Sequence, residues 1–206
     1  MSLHPGRRQA TKELLSFVSL SSSAKILDSG CGVGESVQYL RAKGYEAIGI
    51  DKTLCSGKDF LIQGNITSLP FEDNSFDAAL SECVLSICGD TALALKEIAR
   101  VLKPAGILMA ADVYIIGSDE RRLLEKECYS WQGWQKMMKE AGLSLLKKED
   151  RTLWMRQHYL QALWEGCDLK EKWGWDESYR AKGYQTGYML WWAQKTKKQG
   201  EKHGFV

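Results

Sequence analysis

Apolar and polar positions change period several times along this chain. Over residues 7–18, Ala10, Leu14, Leu15, Phe17 and Val18 recur at helical spacing. Residues 21–23 are serines and read as a loop. Residues 24–27 form a short apolar run that ends at Asp28 and predicts a strand, with a glycine-rich turn behind it. Residues 35–43 carry Val37, Tyr39 and Leu40 and predict a helix stopped by Gly44. Residues 46–50 predict a second strand closed by Asp51, residues 60–63 a third, and residues 76–80 a fourth. A helix follows over 91–102, with Asp90 as its N-cap and Pro104 beyond its end. Residues 107–113 predict a fifth strand, 131–141 a helix ended by Gly142, and 143 onward a sixth strand. Residues 153–164 read as helix and 188–193 as a last strand. Strands alternating with helices predict an open, mostly parallel sheet covered on both faces. Such sheets bind ligands at the carboxyl ends of their strands. The stretch 52–59 is short for a parallel crossover, so its helix is vestigial or a neighbouring strand is misread.

Composition narrows the class. The 206 residues are 44% apolar and 26% charged, which excludes disorder, collagen and coiled coil. Basic residues number 28 and acidic residues 26, so the net charge of +2 forces neither a nucleic-acid nor a membrane-surface reading. The longest apolar stretch, 107–116, is broken by Asp112 and is too short to span a bilayer. The first residues lack a signal-peptide pattern, so the expected location is the cytoplasm. None of the 6 cysteines forms a C-x-x-C pair, and the 3 histidines, His4, His158 and His203, lie far apart, so no metal site is expected. All 8 tryptophans lie after residue 130, which makes the last third aromatic and irregular.

Five segments carry candidate chemistry. Asp28-Ser29-Gly30-Cys31-Gly32-Val33-Gly34 joins a strand to a helix, and its glycines permit a tight turn and close approach of a ligand. Glu35 stands where a dinucleotide fingerprint needs glycine, and no Gly-Lys-Ser/Thr follows, so neither that fingerprint nor a P-loop is present. An acidic residue ahead of the glycines repels a pyrophosphate and suits a cationic ligand. Asp51 falls about twenty positions beyond Gly30, where a carboxylate can take ribose hydroxyls. Gly64-Asn65-Ile66, Ser81-Glu82-Cys83 and Asp112 follow at the third, fourth and fifth strand ends.

Together these segments resemble the class I S-adenosylmethionine-dependent methyltransferases, in the small-molecule branch typified by ubiquinone-biosynthesis methyltransferases (methyltransferase type 11). The likeness rests on ILDSGCGVG, AIGID, GNITSLPFEDNSFDAAL and ALKEIARVLKPAGILMAAD, and covers roughly residues 10–115. It implies a Rossmann-like, doubly wound seven-stranded sheet, mostly parallel with an antiparallel last strand. It implies one domain over 1–206, with a cofactor-binding core over 7–115. It also implies S-adenosyl-L-methionine as cofactor and S-adenosyl-L-homocysteine as product. By position, Asp28 would face the methionine ammonium, and Gly30, Cys31 and Gly32 would meet the methionine part by main chain. Asp51 would hold the ribose with Lys52 beside it, Asn65 and Ile66 would flank the adenine, and Ser81 or Glu82 would meet the amino-acid end. Asn65 stands where the family usually has Asp. Ala105 replaces a glycine in Lys103-Pro104-Ala105-Gly106, so that turn is expected to differ slightly.

Plainer roles stand beside these. Asp28 as a helix cap, Asp51 as a turn residue, and Cys31, Cys83 and Cys88 as packing thiols are the alternatives. Methyl transfer from a sulfonium needs alignment and exclusion of water, and a base only where the acceptor must lose a proton. Asp112 and His158 are the candidate bases. The segment 150–187 is expected to be a helical, aromatic insertion or lid, with Tyr114, Trp154 and His158 on the substrate side. The expected partner is a small-molecule acceptor, with a monomer or homodimer and no membrane span. A base-amine methyltransferase motif and a Pro-Cys nucleophile are both absent, which weighs against nucleic acid. An RNA or tRNA methyltransferase, an arsenite methyltransferase and a non-catalytic S-adenosylmethionine-binding protein stay open as alternatives.

Overall fold

The computed structural model describes residues 5–6, 8–54, 58–116, 130–165 and 185–196. Seven strands form one sheet: β1 (Lys25–Ser29), β2 (Glu46–Asp51), β3 (Leu61–Gln63), β4 (Phe76–Glu82), β5 (Leu102–Ile116), β6 (Leu143–Asp150) and β7 (Gln185–Lys195). Their order is β3-β2-β1-β4-β5-β7-β6. Every pair from β3 to β5 is parallel. Only β7 runs the other way, antiparallel to both β5 and β6. The helices are α1 (Arg8–Ser16), α2 (Glu35–Ala42), α3 (Thr91–Val101), α4 (Trp131–Glu140) and α5 (Thr152–Trp164), with a single 3-10 turn over Leu85–Ile87.

The central strands β1, β4, β5 and β7 are buried on both faces, and their side chains sort by alternation. In β7, Tyr188, Leu190 and Trp192 enter one core with Leu14 of α1 and Val37 and Leu40 of α2. Met189, Trp191 and Ala193 enter the other, with Leu95 and Ile98 of α3 and Trp134 and Met138 of α4. Ala78 and Ala79 of β4, and Leu108 and Met109 of β5, divide in the same way. The period of two explains why YMLWWA is apolar throughout. Trp134, Trp191 and Trp192 are the largest fully buried side chains. Each of these cores needs a helix on its face, so the sheet is wound on both sides as the sequence predicts.

Local signals set the ends. Asp90 caps α3 by accepting from Leu93 N at 2.9 Å. Ser130 caps α4 by accepting from Gly133 N at 3.2 Å. Helix α3 stops at Leu102, whose backbone is extended, so β5 begins ahead of Pro104 and earlier than the sequence pattern places it. The turn at Ala105, expected to differ slightly for want of glycine, still takes the left-handed region with φ 65, at a cost that glycine avoids. The strand readings on either side of 52–59 both hold, since β2 and β3 pair directly in parallel. No helix joins them among the described residues. No described helix is long and apolar enough to cross a membrane.

Candidate functional site

Strand order reverses direction between β1 and β4, because the chain winds outward through β2 and β3 and returns through β4 and β5. A crevice opens at the carboxyl ends of the strands on either side of such a point. Asp28 ends β1 on one side of it, and Ser81 and Glu82 end β4 on the other.

The glycine loop is built by positive φ at Gly30, Gly32 and Gly34. Gly30 N and Cys31 N both donate to Ile50 O, at 2.8 and 3.1 Å, which ties the loop to the end of β2. A Cβ on Gly30 would lie 2.4 Å from the Val84 side chain, so Val84 fills the space behind the loop. A Cβ on Gly32 would meet nothing within 4 Å. The loop is therefore packed at its base and open at its tip. Cys31 packs over Gly49, and burial with the charges of Asp28 and Asp51 pushes its thiol up to about 12, which fits a packing role.

Asp28 is wholly inside, and its Oδ2 has no hydrogen-bond partner. Burial, then the charges of Glu82 and Asp51, push its carboxyl well above the usual carboxylate range. It caps no helix: α2 begins from Gly34, in the left-handed region, with no side-chain cap. Ser81 Oγ is buried and unpartnered as well. An orphaned buried polar group costs about 1–3 kcal/mol, so two at the mouth of one crevice are what a ligand site leaves behind.

Asp51 is both a turn residue and a brace. Its Oδ1 accepts from Thr53 N and Thr53 Oγ1, each at 2.9 Å, and its Oδ2 accepts from Gly32 N at 2.8 Å. Glu82 accepts from Ser36 Oγ at 2.9 Å and Thr11 Oγ1 at 3.1 Å. Thr11 and Ser36 have no place in the sequence reading. A threonine in a helical run carries no distance information, and only the fold brings α1 and α2 to the end of β4.

The remaining candidates divide. Asn65 is exposed after β3, where its Oδ1 accepts from Thr67 N at 3.1 Å, and Ile66 is buried beside it. Lys52 is exposed and its carbonyl takes Gln63. Asp112 is fully buried and accepts from Ser86 N and Val113 N, at 3.1 and 2.8 Å. Burial pushes its carboxyl up to about 6. Its oxygens hold the 3-10 turn, so it serves the loop after β4 and is not a base facing substrate. Tyr114 donates to Asp150 Oδ2 at 2.5 Å, and its ring lies against Gly187. Trp154 is half-buried, packed against Gly6 and under the Arg151 guanidinium. His158 is half-buried on α5. Cys83 donates to Tyr188 Oη at 3.5 Å and Cys88 to Leu85 O at 3.3 Å. Among the described residues no three metal-binding groups come together. Half of the lid expected over 150–187, residues 166–184 with Trp173 and Trp175, lies outside the described residues; Cys55, Cys128, Cys167, His4 and His203 do too.

An open sheet of this order, with a glycine loop after β1 and an acid at the end of β2, is the class I methyltransferase architecture. Residues 27–110, less than half of the chain, match the family described as a methyltransferase domain. A malonyl-[acyl-carrier protein] O-methyltransferase of Erwinia billingiae is 34% identical over 116 residues, 50% of this chain and 45% of the relative. A demethylmenaquinone methyltransferase of Staphylococcus saprophyticus is 29% identical over 160 residues, 71% of this chain and 66% of the relative. The solved [4+2]-cyclase SpnF shares the fold with TM-score 0.72 at 22% identity, covering 90% of this chain and 79% of its own. The matched part spans between 41% and 66% of the length of the curated relatives. A cyclase on the same fold means that the sheet alone does not define the reaction.

Proposed function

We propose that this protein transfers a methyl group from S-adenosylmethionine to a small-molecule acceptor. The observation that carries the reading is the buried, unpartnered oxygen of Asp28, whose carboxyl feels the charges of Glu82 at the end of β4 and Asp51 at the end of β2. A phosphate-bearing cofactor is repelled there, whereas an amino-acid ammonium beside a sulfonium is drawn in. Asp28 and Ser81 would take the amino-acid end, and the open tip at Gly32 would accommodate its backbone. The main-chain N–H groups of Gly30, Cys31 and Gly32 are already used within the fold, so this contact falls to the loop's carbonyls and its open face.

Asp51 would hold the ribose. A carboxylate offers about four acceptor positions. Three are taken by Thr53 and Gly32, so binding a diol releases one of them. Asn65 and Ile66 would border the adenine. When bound, the cofactor supplies an already activated methyl group, which leaves alignment and the exclusion of water to the chain. On the acceptor side the reading assigns Tyr114, on β5 beyond its pairing with β4, and His158 of α5.

The test is thermal unfolding with and without S-adenosylhomocysteine. Saturation at about a hundred times Kd should add about 2.7 kcal/mol of stability. No shift with either S-adenosylmethionine or S-adenosylhomocysteine would remove the proposal.

A further inference from the structure

Helix α1 precedes the segment that matches the methyltransferase domain, yet it reaches the crevice. Three ties fix it. Arg151 at the start of α5 grips Glu13 through two nitrogens, at 2.9 and 3.0 Å. Trp192 Nε1 of β7 donates to Leu14 O at 2.8 Å. Thr11 Oγ1 lies 3.2 and 3.1 Å from the two oxygens of Glu82. The first two ties, with Ala10 and Leu14 fully buried, are enough to seat the helix. The third has a different effect. It fixes a carboxylate whose charge Asp28 feels at the mouth of the crevice.

The Thr11 hydroxyl also lies 3.2 Å from Ser36 Oγ, which itself donates to Glu82 Oε2. A hydroxyl has one proton to donate, so the pair orients Glu82 only while both hydroxyls are present. Thr11 is 2% exposed, so its hydroxyl has no bulk water to turn to and stays on Glu82 or Ser36.

We propose that Thr11 is a positioning residue of the cofactor site: with Ser36 it fixes the Glu82 carboxylate beside Asp28, and α1 is thereby part of the site. This rests on the cofactor reading above. Losing the hydroxyl removes one of the donors that hold the carboxylate and loosens its placement, and cofactor affinity falls while the fold remains seated by Arg151 and Trp192.

The experiment is calorimetric titration of the wild type and of Thr11→Val, Thr11→Ser and Ser36→Ala with S-adenosylhomocysteine, beside thermal unfolding of each. Valine keeps the shape of threonine and removes the hydroxyl. Thr11→Val should weaken binding about tenfold, the worth of one hydrogen bond to a charged group. Thr11→Ser should restore it, because serine keeps the donor. Ser36→Ala, at a half-buried position, should weaken binding in the same direction and serves if Thr11→Val does not fold. Wild-type affinity in Thr11→Val, or a serine variant as weak as the valine one, would show that the contact only packs α1. A wild type that binds no S-adenosylhomocysteine would instead overturn the cofactor reading, and this inference with it.

Discussion

The two ends of the central strands β1, β2 and β4 treat charge in opposite ways. At the amino end, acids meet cations. Arg100 spans Glu97, Asp73 and the carbonyls of Leu69 and Phe71. Lys103 pairs with Asp77, which also accepts from Lys25 N at the start of β1. Lys195 reaches Asn74 and two carbonyls. Hydrogen bonding holds the Glu97 carboxyl below its usual range, and Lys103 does the same for Asp77. At the carboxyl end, Asp28, Asp51 and Glu82 gather around one crevice, and the donors to Asp51 and Glu82 are N–H and hydroxyl groups. Asp28 keeps an oxygen with no donor at all. One end is arranged for stability, and on the proposed function the other gives up stability for a ligand that brings the missing positive charge.

The sharpest break of this contrast is Asp51→Ala. It removes the carboxylate proposed to hold the ribose and releases Gly32, so cofactor affinity should fall about ten- to a hundredfold, or about 1.5–3 kcal/mol. Unchanged affinity in titration would leave Asp51 a turn residue only. Next comes Arg100→Ala at the paired end. It should cost about 1–3 kcal/mol of stability in denaturant unfolding and leave cofactor binding untouched.

Acidity separates the ends by sign. Asp77 and Glu97 have lowered values, so their contribution is present above about pH 4 and is lost as pH falls. Asp28 is raised, so folding is favoured below the unfolded value of about 3.9 and penalised increasingly as pH rises above it. Asp28→Asn removes that penalty. Its Tm should exceed the wild type's at pH 7, and the gain should vanish near pH 4. An equal gain at both pH values contradicts the assignment. The smallest effect is Lys103→Ala, an exposed pair worth about 0.2–1 kcal/mol, which should shrink further in high salt.

Much of the sheet was legible because its central strands are buried on both faces and separated by glycine, proline and capping residues. The carboxyl-end acids were legible too, since a strand end places Asp28, Asp51 and Glu82 without any knowledge of packing. What stayed hidden depends on distances across the fold. Thr11 and Ser36 reach Glu82 from two helices that precede it by many residues. The burial of Asp112 against the turn after β4, and the packing of half-buried Trp154 against Gly6, have no periodic signature. Ala105 shows that a tight turn can survive the loss of a glycine when the strands on either side fix it.

The central claim is that the Asp28 crevice waits for a cation. Titrating the wild type and Asp28→Asn side by side with S-adenosylhomocysteine, whose amino-acid end carries that charge, tests it directly. The account predicts binding on the order of micromolar by the wild type and at least tenfold weaker binding by a variant that is no less stable. Equal binding by both proteins, or none by the wild type, would contradict it.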